Sequence, residues 1–202
     1  MAMDYYFTVE KTAIAEFKDR GSKFLAFIFP TENKDDFKKE LQHLKKEHAK
    51  AVHHCYAYRI GFTGNEFRAN DDGEPSGSAG KPILGQIDSK NLTNVGIIVV
   101  RYFGGTLLGV PGLINAYKMS AGLVIQTVPV VQKPIMAAYY IQFDYSLINE
   151  VMLTLKQCHC VVTSKEINLF SGIFFMAPKN REEEVIFRLK DIRNAELKKI
   201  LR

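Results

Sequence analysis

Between Asn70 and Gly112 the chain gathers the residues best equipped for chemistry. Asp71, Asp72 and Glu74 place three carboxylates within four positions, each suited to hold Mg2+ or to act as a general base. They open the run DDGEPSGSAGK (71–81), in which Ser76 and Ser78 supply hydroxyls and Lys81 a cation. Gly77, Ser78, Ala79 and Gly80 expose backbone N–H groups beside small side chains, the makings of an anion-binding nest. A second loop, Arg101-Tyr102-Phe103-Gly104-Gly105, leaves the apolar run 95–100. An arginine beside two aromatics and two glycines suits phosphate contact through its planar fork and base contact through stacking.

A Walker A loop is excluded at residue level. Pro75 stands where its leading glycine is required, and Pro82 follows Lys81 where Ser or Thr must bind Mg2+. A scaffolding role fits the same residues. Asp and Gly supply turns with φ > 0, Glu74-Pro75 stiffens the chain, and Ser78 or its neighbour can cap a helix from about residues 79–81 to Ile87, with Pro82 in the first turn. For Arg101 the scaffolding role is a salt bridge to Asp71, Asp72 or Glu74, with Tyr102 and Phe103 in the core. No metal site is expected. His53 and Cys55 share a strand face, but zinc needs about four ligands and neither CxxC nor HxxxH occurs.

The elements that must position these loops follow from periodicity. Tyr5, Phe7 and Val9 alternate, as do Ala13, Ala15 and Phe17, and residues 24–29 form an apolar run. Between them, 19–22 has the composition of a hairpin turn. Asn33 is placed to cap a helix reaching about His48, with Phe37, Leu41 and Leu44 on one face and its lysines largely facing water. Strands are expected at 53–60 and 66–69, a central strand at 95–100, and a helix from about Leu113 to Gln126. After a linker at 128–134 with two prolines, the order is strand 137–144, helix 146–157, strand 160–166, strand 171–177 and helix 180–191. A short last strand is expected at 196–201. This βαββα module is ferredoxin-like. Its aromatics Tyr139, Tyr140, Phe143, Phe170, Phe174 and Phe175 are candidates for a stacking platform.

Composition bounds the function. The 202 residues, 47% hydrophobic, can hold one large domain or two modest ones and are not mainly disordered. The apolar runs fall short of the roughly 20 residues that cross a bilayer. The first residues, MAMDYYFTVE, lack a basic stretch followed by an apolar one. With only three cysteines, a cytoplasmic protein is expected. The net charge of +5 is spread along the chain: ten Lys and Arg against eight Asp and Glu from Ile135 onward, seventeen against fourteen before it. That spread supports a polyanionic partner only weakly.

The motifs DDGEPSGSAGKPIL, VVRYFGGTLLG and LINAYKMSAGL together resemble the bacterial YigZ-like branch of the IMPACT family, over about residues 24–123. Gly109-Val110-Pro111-Gly112 departs from the family pattern, which more often has small residues before the final glycine. The resemblance implies an α+β protein of two domains. The first, 1–133, is expected to share the α/β fold of a small-subunit ribosomal protein's second domain. The second, 134–202, is expected to be a ferredoxin-like module resembling part of elongation factor G. It further implies nucleic-acid binding, to RNA or the ribosome, and regulation of translation, with no cofactor. The kinase-pathway partner that eukaryotic relatives engage through an RWD domain is not carried over. On this reading Lys81 and Arg101 contact phosphate, Tyr102 or Phe103 stacks, and Gly104, Gly105, Ser76 and Ser78 line the site. The alternative is a metal-assisted phosphate-ester enzyme built on Asp71, Asp72 and Glu74.

Overall fold

The computed structural model describes residues 4–200. It is α+β and divides into two compact units, residues 6–133 and residues 4–5 with 134–200. In the first unit, β1 (Tyr5–Val9) precedes a hairpin of β2 (Ala13–Asp19) and β3 (Ser22–Pro30). Arg20 and Gly21 turn it with φ of 43° and 80°, two positive values that match the right-handed twist of the flanking strands. Next, α1 (Lys34–Glu47) starts where the Asn33 side chain accepts the Asp36 N–H at 2.9 Å. Asp35 and Asp36 in its first turn and Lys45 and Lys46 in its last complement the helix dipole. Then come β4 (His53–Ile60), β5 (Glu66–Asn70), α2 (Gly80–Ser89), β6 (Val95–Tyr102) and α3 (Gly109–Gln126).

The five-stranded sheet runs β2-β3-β6-β4-β5, with β6 antiparallel to both neighbours. Its continuous apolar sequence has a direct cause, because both its faces are covered. Ile98 and Val100 pack with Phe37 and Leu44 of α1. Ile97 and Val99 pack with Ile83 and Ile87 of α2 and with Ala116 and Tyr117 of α3. Each such large side chain contributes about 1.5–3 kcal/mol of burial. The stretch expected to be a linker is instead partly a strand, β7 (Val130–Pro134), paired with β1. Its prolines permit this because one precedes the strand and the other ends it, so no interior ladder bond is lost.

The second unit contains β8 (Met136–Asp144), α4 (Ile148–Gln157), β9 (Val161–Glu166), β10 (Phe170–Pro178), α5 (Glu182–Lys190) and β11 (Glu196–Lys199), in the sheet order β11-β8-β10-β9. The ferredoxin-like order therefore holds, while Leu201, expected in the last strand, lies outside the described residues. Both helices begin later than their sequences suggest, each after a single 3-10 turn; at the first, Asp144 accepts the Ser146 N–H at 2.9 Å. Tyr139, Phe143 and Phe175 are core residues with Val151 of α4 and Val185 of α5, which removes them from any stacking platform. Alternation along the strands puts Tyr140 and Phe174 on the opposite face, with ring centroids 4.6 Å apart.

Candidate functional site

The first acidic residue of the 71–81 loop is consumed by the loop itself. Asp71 Oδ2 accepts the Gly77 N–H at 2.9 Å, and Oδ1 accepts those of Ala79 and Gly80 at 3.0 and 2.8 Å. The nest expected from the glycines is thus formed and filled by an internal carboxylate. That carboxylate also caps α2, whose N-cap residue Ala79 has no side-chain bond. Partial burial pulls Asp71 toward its neutral form, but the three N–H donors and the Lys81 charge outweigh it and hold the carboxyl below its usual range. Ser78, expected to cap, donates its hydroxyl to the Pro75 carbonyl at 2.6 Å and fixes the turn instead.

Asp72 points the other way. It adopts φ 44°, accepts the His54 N–H at 2.7 Å and pairs with Lys45 of α1 at 2.9 Å. His53 Nδ1 lies 2.8 Å from the Asp72 carbonyl oxygen. His54 is buried, and its Nε2 has no hydrogen-bond partner. Burial lowers the His54 pKa, with Lys45 and His48 adding to the effect and Asp72 opposing it. A neutral imidazole in the fold that would protonate in the unfolded chain contributes stability above its ordinary pKa of about 6.5, lost as pH falls through the lowered value. The free energy of unfolding measured in urea should therefore fall as pH drops below about 6.5, and His54→Phe should flatten that change. An unaltered profile in the variant would assign the effect to other groups.

Glu74 and Arg101 join the two loops. Both side chains are buried, and Arg101 Nη1 donates to Glu74 Oε1 at 2.6 Å. The Tyr117 hydroxyl of α3 donates to the same oxygen at 2.8 Å. Cys55 Sγ lies 3.2 Å from that hydroxyl and 3.0 Å from the Asp71 carbonyl oxygen. Burial pushes both the Cys55 thiol and the Tyr117 phenol far above their ordinary ranges, so neither supplies a nucleophile or base at neutral pH. The guanidinium stands 5.5 Å from the Phe24 ring centroid and 5.7 Å from that of Phe103, while its Nε is buried without a partner.

Behind Arg101, Ser22 Oγ accepts the Gly104 N–H at 3.2 Å. Gly104 is packed so tightly on the β2–β3 turn that a Cβ there would stand 1.9 Å from the Gly21 carbonyl carbon. Of the residues expected in the site, Lys81, Ser76, Phe103, Gly104 and Gly105 are exposed. Tyr102 is half-buried, its hydroxyl 2.9 Å from His48 Nδ1. The three carboxylates do not converge: each is directed at a different protein partner, and among the described residues no group of three His, Cys, Asp or Glu is placed to hold a metal. Sequence reasoning placed Ser22 only in a turn and Tyr117 only on a helix. Their tie to Arg101 and Glu74 had no local signal: Ser22 sits in a charged turn and Tyr117 between Asn115 and Lys118.

Fold and site together define an α+β protein with two glycine-rich loops locked by a buried ion pair. The chain belongs to the IMPACT family: the Impact N-terminal domain model matches residues 20–125. It is similar to IMPACT family member YvyE of Bacillus subtilis, with 33% identity over 84% of this chain and 77% of that protein. It is also similar to IMPACT family member YigZ of Escherichia coli, with 28% identity over 92% and 91%. Protein IMPACT of Homo sapiens matches at 36% identity over 45% of this chain and 29% of its own length. A crystal structure of a protein described as hypothetical superposes with a TM-score of 0.78 at 25% identity, covering both chains completely. Among the described residues no helix is long and apolar enough to cross a membrane.

Proposed function

We propose that the protein binds RNA, free or within the ribosome, through the exposed rim of the two loops, and by doing so modulates translation in the cytoplasm. The observation that carries this reading is Phe103, an aromatic ring 47% exposed, backed by a buried guanidinium and followed by two exposed glycines. A ring held in that way offers a face to an unpaired base, worth about 1–3 kcal/mol per stack. Gly105, with nothing within 4 Å of where a Cβ would stand, lets a nucleic-acid backbone approach, and Lys81 and Ser76 lie exposed on the neighbouring loop for phosphate. Arg101 takes a supporting part: it can reach phosphate only if Glu74 releases it, and it serves the site by fixing Phe103. The family resemblance carries the same expectation.

Fluorescence anisotropy with a labelled single-stranded oligouridine at two salt concentrations provides the test. Phe103→Ala should weaken binding about tenfold, and Lys81→Ala should weaken it and reduce the salt slope by about 0.7. Lys39→Ala, on the far side of α1, should change neither. Absence of affinity at low salt, or an affinity indifferent to salt, would refute the proposal.

A further inference from the structure

At one end of the five-stranded sheet, β5 pairs with β4 alone and leaves its other side as an open edge. Exposed edges are usually blunted by a bulge, a proline or lysines. The edge strand of the second unit, β9, faces a register shift at Phe174/Phe175. At the opposite edge of the first sheet, β2 carries Lys18 paired with Glu16 at 2.9 Å. In contrast, β5, whose sequence is EFRAN, has no bulge, proline or lysine, its register with β4 is regular, and its charges are Glu66, paired with Lys34, and Arg68.

Beside this edge, a groove of about 490 Å3 separates β5 from α1. Its charged lining residues are Lys34, Lys38, Arg68 and Glu66, an excess of two cations. Lys34 pairs with Glu66, and Lys38 with Asp35 at 3.3 Å, whereas Arg68 has no ion-pair partner among the described residues. Register sorts the strand's side chains. Arg68 lies opposite Tyr58 and Glu66 opposite Ile60, and both partners pack in the cluster that contains Phe37 of α1, so Arg68 and Glu66 share the α1 face. Phe67 lies on the other face, 55% exposed, with the Arg59 guanidinium 4.8 Å from its ring centroid.

We infer that β5 and this groove receive an extended peptide segment in which acidic and apolar side chains alternate. The free edge supplies a backbone ladder. An added strand would set its acidic side chains opposite Arg68 and beside Lys38, and its apolar side chains against Phe67 and Ala69, because successive residues face opposite sides. Single-stranded nucleic acid fits this place less well. The rings on the α1 side, Phe37, Tyr56 and Tyr58, are at most 9% exposed and present no face for a base, and the exposed ring, Phe67, is on the opposite face of the strand from Arg68, so one strand of nucleic acid would not meet both. The inference is independent of the RNA reading, since neither Lys81 nor Phe103 lines the groove.

The test is an amide-shift titration of the 15N-labelled full chain with an acetylated, amidated peptide of alternating Glu and Val, its Lys and Val counterpart, and oligouridine. The acidic peptide should give saturable shifts confined to β5 and the facing side of α1. Arg68→Glu and Lys38→Glu should each weaken it about tenfold, Lys39→Glu should leave it within about twofold, and the Lys peptide should bind at least about tenfold more weakly. Unchanged spectra elsewhere in the variants establish that they are folded. No shift with the acidic peptide, equal shifts with the Lys peptide, or shifts at β5 from oligouridine in place of the peptide would each overturn the proposal. Loss of oligouridine binding in Lys81→Ala with peptide binding intact would separate the two sites.

Discussion

Glu74→Ala is expected to destabilise the first unit by about 3–5 kcal/mol, because it strands a buried cation. Arg101 would lose the carboxylate it contacts at 2.6 Å, and Tyr117 would lose its acceptor. Arg101 Nε is already buried without a partner, so the loss would add to an existing deficit. The double variant Glu74→Leu with Arg101→Met should recover most of the loss, since apolar side chains of similar length restore packing without a charge to desolvate. Urea denaturation followed by exchange of the β6 amides would measure both. If Glu74→Ala costs less than about 1 kcal/mol, the pair is solvated in solution and does not lock the loops. Should the double variant retain oligouridine binding, Arg101 supports Phe103 by volume alone.

Gly104→Ala is expected to be at least as damaging, for a steric reason. The added methyl would stand 1.9 Å from the Gly21 carbonyl carbon and 2.2 Å from the Ser22 nitrogen, both backbone atoms that no rotamer change can move. The β2–β3 turn and the loop after β6 would have to part, at an expected cost above about 3 kcal/mol. Gly105→Ala provides the contrast. Nothing lies within 4 Å of its would-be Cβ, but its φ is 86°, so only the conformational penalty of about 1–2 kcal/mol applies. Thermal denaturation of the two variants side by side should rank them in that order; the reverse ranking would mean that the close approach is absent in solution.

Local signals carried much of this architecture. The Asn33 cap, the Asp19–Ser22 turn, the doubly apolar run that became β6 and the strand–helix order of the second unit were all legible, because each depends on neighbours within a few residues. What was not legible depends on distance in the chain. Asp71 is an ordinary loop carboxylate in sequence, and only the fold of the next nine residues makes it the occupant of the nest. Arg101 had three acidic candidates, and nothing local singles out Glu74, 27 residues away. Strand β7 was obscured by its prolines, whose positions at the ends of the strand become harmless only when the pairing with β1 is known.

The place of β6 in the sheet also dictates when the first unit can form. As the chain is synthesised, the β2–β3 and β4–β5 pairs can close as local hairpins, but β3 and β4 never touch each other; their shared neighbour spans residues 95–102. Until that stretch has left the ribosome, two hairpins wait with apolar inner edges unpaired, the condition that favours misassociation. Completing the sheet then requires an insertion into its middle rather than growth at its rim, and that insertion brings Arg101 to Glu74. A chain truncated before Val95, which lacks the whole of β6, should accumulate as aggregate and not as a smaller folded domain.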